Sequence, residues 1–168
     1  MGGAAQPFPR DRNLPPGRGR RLNAPGPIVV DSDPARLDLA VVHGFLAASY
    51  WARGIPLAVV ERAIRHSLCF GLYEGPAQIG FARVITDRAT FAYLADVFVL
   101  DSHRGRGLSK RLMDAVVAHP ELQGLRRWML ATRDAHGLYA QYGFTAIAAP
   151  EPFMQRHDPD VYARAGGA

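Results

Sequence analysis

Thr90-Phe91-Ala92-Tyr93-Leu94-Ala95-Asp96-Val97-Phe98-Val99-Leu100 runs directly into Asp101-Ser102-His103-Arg104-Gly105-Arg106-Gly107-Leu108-Ser109, and the reading of this stretch decides the fold. The first part is apolar and rich in aromatic and β-branched residues, as a central strand would be. After the loop the period changes. Leu108, Leu112 and Val116 recur at helical spacing, with Met113 and Val117 beside them, until His119-Pro120 stops the helix. Amides at a helix N-terminus lack intrahelical partners and point outward. The helix dipole adds partial positive charge there. Gly105 and Gly107 let the backbone approach an anion, and Arg104 and Arg106 add formal charge. A strand, such a loop and then a helix suit a pyrophosphate. A plain strand-to-helix turn has the same outline.

Spacing removes two common nucleotide motifs. No Gly-x-x-x-x-Gly-Lys-[Ser/Thr] string occurs. A dinucleotide fingerprint needs a further glycine three residues after Gly107, where Lys110 stands.

Working outward, Ile28-Val29-Val30 is a short strand. Asp33-Pro34 starts a helix reaching about Ser49, with Leu37, Val41 and Phe45 at helical spacing. Pro56 opens a second helix carrying Leu57, Val60 and Ile64. Leu68 to Tyr73 and Gln78 to Ile85 read as strands joined through Glu74-Gly75-Pro76. Beyond the glycine loop and its helix, Arg127 to Ala131 is a strand. Asp134 caps a short helix ended by Gly143, and Phe144 to Ala148 starts a last strand that Phe153-Met154 continues. The order β-α-α-β-β-β-α-β-α-β predicts an α/β single domain, a mixed sheet with helices on both faces.

Composition bounds the rest. The chain has 168 residues, enough for one domain, and 48% of them are apolar. No window approaches the roughly 18 apolar residues of a membrane span, and no secretory signal opens the chain. The single cysteine, Cys69, excludes a disulfide framework. A cytoplasmic protein that uses neither membrane nor metal is the expectation. Arg10, Arg12, Arg18, Arg20 and Arg21 against Asp11 account for +4 of the net +5, so the basic character belongs to residues 1–27. That segment reads as a disordered Arg/Pro/Gly-rich tail, 28–156 as the domain and 157–168 as a C-terminal tail. The nearly neutral remainder argues against nucleic-acid binding.

The motifs together resemble the GNAT superfamily of acyl-CoA N-acyltransferases. Its phosphate loop reads [Gln/Arg]-x-x-Gly-x-[Gly/Ala]; this chain has Arg104-x-x-Gly107-x-Ser109, with Ser109 in place of the usual Gly or Ala. The family's Tyr, three residues and Gly-Phe are similar to Tyr139-Ala140-Gln141-Tyr142-Gly143-Phe144. The resemblance covers about residues 28–155. It implies a sheet split in a V at its fourth strand and acetyl-CoA as co-substrate. Val97, Phe98 and Val99 would pair with the pantetheine arm. The amides of Arg104, Gly105, Arg106, Gly107, Leu108, Ser109 and Lys110 would hold the pyrophosphate. Thr132 occupies the place of an Asn that often contacts pantetheine. Tyr139 would protonate the departing thiolate.

Single residues keep two readings each. Tyr139 by position alone reads as a helix-packing residue, and Tyr142, beside the terminating glycine, reads as packing or a helix-end contact. Asp96 interrupts an apolar strand, as the first candidate base or as a carboxylate satisfied by an arginine. His43 and His136 are further base candidates. Tyr50 and Trp51 form an acceptor wall or pack into the core. Arg83 faces the cleft or solvent. The implied activity is transfer of an acetyl group to a primary amine of a small molecule or protein. The alternative is a non-catalytic acyl-CoA-binding module. Edge-strand pairing makes a homodimer a reasonable assembly.

Overall fold

In the computed structural model, residues 26–165 are described, so the Arg-rich N-terminal segment lies outside the described residues except for its last two positions. The strands are β1 (Ile28–Asp31), β2 (Leu68–Glu74), β3 (Ala77–Thr86), β4 (Phe91–Val99) and β5 (Arg127–Leu130). They lie in sequence order in one sheet. β1 to β4 are antiparallel neighbours, and β5 joins β4 in parallel. A parallel neighbour needs a crossover, which α3 (Leu108–Val117) supplies.

The sheet buries a face on each side. Phe70, Leu72, Val84, Leu94 and Val99 pack against Leu112, Met113 and Val116 of α3. Cys69, Phe81 and Phe98 pack against Val42 and Leu46 of α1 (Leu39–Ala48) and Val60 of α2 (Leu57–Arg65).

Four local readings are corrected. The first helix does not start at Asp33: Pro34–Arg36 is one isolated 3-10 turn, and α1 begins after Asp38. The Asp38 carboxylate accepts from the amides of Ala40 and Val41, and this cap fixes the start. Pro56 opens α2 as expected, standing at its N-cap. The short helix after β5 is α4 (His136–Ala140), and Asp134 does not cap it; the Thr132 hydroxyl accepts the Ala135 amide at 3.0 Å instead. Phe144 to Ala148 forms no strand. Phe144 instead stands edge-on to Trp128 and Tyr139, with ring centroids 6.2 and 6.0 Å away. Its apolar surface is covered without a ladder. The stretch read as a C-terminal tail carries α5 (Val161–Ala165), and Tyr162 packs against the α1–α2 core.

β4 carries the feature that shapes the site. Phe81 opposes Phe98 and Arg83 opposes Ala95, so Asp96 and Val97 together face Ala82. This is a β-bulge, and Asp96 takes the left-handed conformation there, at φ 54°. The bulge shifts the alternation by one. Val99 then shares a core with Leu94, while Phe98 turns toward α1. Pairing with β5 ends at Leu94 and Leu130, so from Ala95 to Val99 β4 keeps β3 on one side and has no strand on the other. Gly80 lets β3 close against β4 here: a Cβ on it would lie 2.7 Å from the Phe98 carbonyl oxygen.

Candidate active site

The gap beside β4 is a cleft of about 920 Å³, bounded by the end of β4, the start of α3, the α1–α2 connection and α4. At its mouth, Gly105 and Gly107 have φ of 74° and 70°. A Cβ on either would meet nothing within 4 Å, so conformation rather than crowding demands glycine. Gly107 is the N-cap of α3. The amide of Arg104 donates to Asp101 and that of Lys110 to Gly107, so these two of the predicted seven are committed. Among the described residues, the amides of Gly105, Arg106, Gly107, Leu108 and Ser109 have no acceptor outside regular helix bonds. Five free amides in a row at a helix start make an anion cradle.

The two arginines contribute less charge than expected. Arg104 pairs with Asp101 at 2.9 Å, and its Nε donates to the Val99 carbonyl oxygen at 3.3 Å. Arg106 pairs with Glu74 at 2.6 Å, and the other Glu74 oxygen lies 3.3 Å from His103 Nε2. Glu74 thereby ties the loop to the end of β2, and the Arg106 guanidinium holds its carboxyl below the usual range. Arg106 and Lys110 do not line the cleft.

The Leu100 amide donates to Ile79 at 2.8 Å. Alternation along an antiparallel strand then directs the polar groups of Phe98 to β3 and those of Val97 and Val99 into the gap. Of the predicted pantetheine partners, Val97 and Val99 are placed for the role. Phe98 is not; its ring stacks on Phe45 at 3.9 Å and 7° and forms a wall.

A second cavity of about 570 Å³ lies on the α1–α2 side of the sheet. Tyr50, Trp51, Val97, Arg133, Asp134, Ala135 and Tyr139 line both spaces. Tyr139 is 9% exposed. Among the described residues its hydroxyl makes no hydrogen bond to protein, although its ring packs as a core residue. Burial, with Tyr50 and Asp134 nearby, pushes the phenol up to about 12. It stays protonated at neutral pH, the form that can donate a proton. Tyr142 is different. Its hydroxyl reaches the Lys110 carbonyl oxygen at 2.9 Å and Asp114 at 2.7 Å, pinning α4 to α3.

Arg83 faces the second cavity and not solvent. Its Nε donates to Asp96 Oδ2 at 2.6 Å, and a terminal nitrogen donates to the Ser67 hydroxyl at 3.2 Å. Trp51 Nε1 donates to Asp96 Oδ1 at 3.1 Å. Both Asp96 oxygens are thus engaged, which is the carboxylate-satisfied-by-arginine reading. Thr132 lines the second cavity and not the cleft, so its expected pantetheine contact is not supported. His43 Nε2 is 3.0 Å from the Ile55 carbonyl oxygen, and neither His43 nor His136 lines either space. Tyr50 and Trp51 remain 47% and 40% exposed, so they wall the site rather than fill the core.

Sequence reasoning missed Arg133, whose guanidinium lies 3.9 Å from the centre of the Tyr50 ring. This contact bridges the α1–α2 and β5–α4 connections over the junction of the two spaces. It also missed Tyr93 and Tyr162, which line the second cavity. Their only signal was that both are tyrosines.

A mixed sheet opened at its fourth strand, with an amide cradle at the opening, defines the acyltransferase class of α/β domain that the motifs resemble. Comparison with known proteins agrees. The family model described as "Acetyltransferase (GNAT) domain" matches residues 65–146. "Putative acetyltransferase FG08082" of Gibberella zeae is 34% identical over 139 residues, covering 69% of this chain and 77% of that protein. A crystal structure from Xanthomonas campestris pv. campestris, described as "a putative acetyltransferase belonging to the gnat family", is 58% identical with a TM-score of 0.79. It covers 82% of this chain and 99% of that one. A Clostridium acetobutylicum structure, described as a "predicted acetyltransferase with acetyl-CoA", shares the fold at 12% identity and a TM-score of 0.58, covering 77% and 96%. The chain belongs to the GNAT acetyltransferase family.

Proposed function

We propose that this protein transfers an acetyl group from acetyl-CoA to a primary amine by direct attack. The observation that carries the reading is Tyr139, which lines both spaces where they meet and keeps its hydroxyl free. The acetyl-CoA held by the Clostridium acetobutylicum relative supports the choice of donor. In this reading the amides of Gly105 to Ser109 take the pyrophosphate, and the gap-facing groups of Val97 and Val99 take the pantetheine arm. A gap-facing amide polarises the thioester carbonyl and stabilises the oxyanion. The ammonium first gives one proton to solvent. The neutral nitrogen bonds to the carbonyl carbon, the carbon–sulfur bond breaks, and Tyr139 protonates the thiolate. Tyr139 regains a proton from the nitrogen, so the products are an amide, free thiol and one released proton. Asp96, the candidate base, serves better as a holder of Trp51 and Arg83.

Isothermal titration with acetyl-CoA tests the first step, with saturable binding expected. Absence of binding at millimolar concentration defeats the proposal. Thiol release with a panel of amines tests the second.

A further inference from the structure

The second cavity carries a statement about the acceptor. Among the described residues, the charged groups facing it are Arg83 from β3, Asp96 from β4, and Arg133 and Asp134 from the β5–α4 connection. α1, α2 and α5 contribute only uncharged side chains, among them Val60, Ile64 and Tyr162. At the floor Arg83 and Asp96 neutralise each other, with side chains 16% and 12% exposed. Arg133 lies on the Tyr50 ring at the rim. Trp51, Tyr93, Tyr162 and Tyr50 supply aromatic surface.

A volume of about 570 Å³ suits a small molecule. A second charge on that molecule would lose its hydration and find no free counter-ion at the floor. An aromatic body would lose nothing and gain ring contacts. Apolar surroundings also disfavour the ammonium form, which helps the nitrogen shed the proton it must lose before attack.

We propose that the acceptor is a small arylalkylamine carrying its amine as the only charge, with its ring in this cavity and its nitrogen at the Tyr139 junction. The inference rests on the acetyl-transfer reading above. Its chemistry is that reaction: nitrogen gains the acetyl group, the thioester loses it, and one proton is released.

The test measures thiol release from acetyl-CoA with 2-phenylethylamine, 4-(2-aminoethyl)benzoate and spermidine. 4-(2-Aminoethyl)benzoate carries a carboxylate at the ring end, where it would meet the neutralised Arg83–Asp96 floor, and spermidine replaces the ring with further cations. The expected kcat/KM is about tenfold or more higher for 2-phenylethylamine than for either comparator. Equal or better use of either comparator overturns the inference. Ala63 lines only the second cavity. Ala63→Phe should cut kcat/KM for 2-phenylethylamine by roughly tenfold through lost space, with acetyl-CoA affinity unchanged. An unaffected kcat/KM in this variant, with melting temperature retained, also overturns it. If none of the three amines is acetylated, equilibrium dialysis of labelled 2-phenylethylamine against CoA-loaded protein decides, and absence of binding overturns it. Failure to bind acetyl-CoA defeats both proposals. Binding of acetyl-CoA with a comparator preferred defeats this one alone.

Discussion

The two spaces that meet at Tyr139 are made of different material. The cleft beside β4 is built mostly from backbone: free amides at Gly105 to Ser109 and the edge of Val97 and Val99 that β5 leaves uncovered. All of this comes from one continuous segment. The second cavity is built from side chains on eight elements or connections, held by the Asp96, Arg83 and Trp51 contacts. Backbone construction fixes what can be held, an extended arm and an anion, while many residue types remain tolerable there. Side-chain construction leaves the occupant adjustable, one residue at a time.

The comparison breaks most sharply at Asp96. Asp96→Ala strands the Arg83 charge in a largely buried place and should destabilise the fold by about 3 kcal/mol, read from chemical denaturation. Unchanged stability would mean that the pair does not support the cavity floor. Next comes Tyr139→Phe, expected to lower kcat by roughly 100-fold with little change in acetyl-CoA affinity. A parallel loss of affinity would make Tyr139 a wall and nothing more. Gly107→Ala forces a Cβ into the left-handed region at a cost of about 1–2 kcal/mol. Acetyl-CoA Kd should rise about tenfold if the loop relaxes to escape that strain, and the acceptor KM should stay put. A change confined to the acceptor KM would contradict the division between the two spaces. Thr132→Ala removes the hydroxyl that accepts the Ala135 amide just before α4, a net hydrogen bond worth about 1 kcal/mol, and should lower Tm by roughly 2–4 °C.

The smallest effect at neutral pH concerns the buried phenols. Tyr139 and Tyr142 are each pushed up to about 12. In the unfolded chain they ionise near ~10. Above that pH the unfolded state binds fewer protons than the folded one, so stability falls as pH rises from about 10 to 12. Melting temperatures across this window should decline less in Tyr139→Phe. An unchanged slope would mean that Tyr139 does not resist ionisation.

The same division explains what could be read in the sequence. Thr90–Ser109 was legible as strand, loop and helix because its meaning is local: an apolar run, glycines and a new period. Gly143 was legible as a helix end for the same reason, and takes φ 81°. Asp96 and Arg83 each stood out as polar interruptions. Their partnership depends on the register that sets Arg83 opposite Ala95, and no local pattern encodes it. The Tyr50–Arg133 contact joins residues 83 positions apart in sequence. The strand expected at Phe144 failed because an apolar stretch can satisfy itself by ring packing, as Phe144 does on Trp128 and Tyr139. The expected Asp134 cap failed because α4 starts one residue later, with Ala135 at its N-cap, and Thr132 holds the Ala135 amide from the preceding turn.

The bulge at Asp96 has a consequence for how this chain can change its length. One residue removed there would restore strict alternation, and Phe98 and Val99 would exchange sides. A bulky ring would enter the α3 core, and the cleft would lose its stacked wall with Phe45. Loops such as Asp87–Thr90 can absorb insertions and deletions without such an exchange. Residue count between Leu94 and Val99 is therefore constrained in its own right, independent of which residues fill it. Relatives that keep both spaces should align across this stretch without a gap.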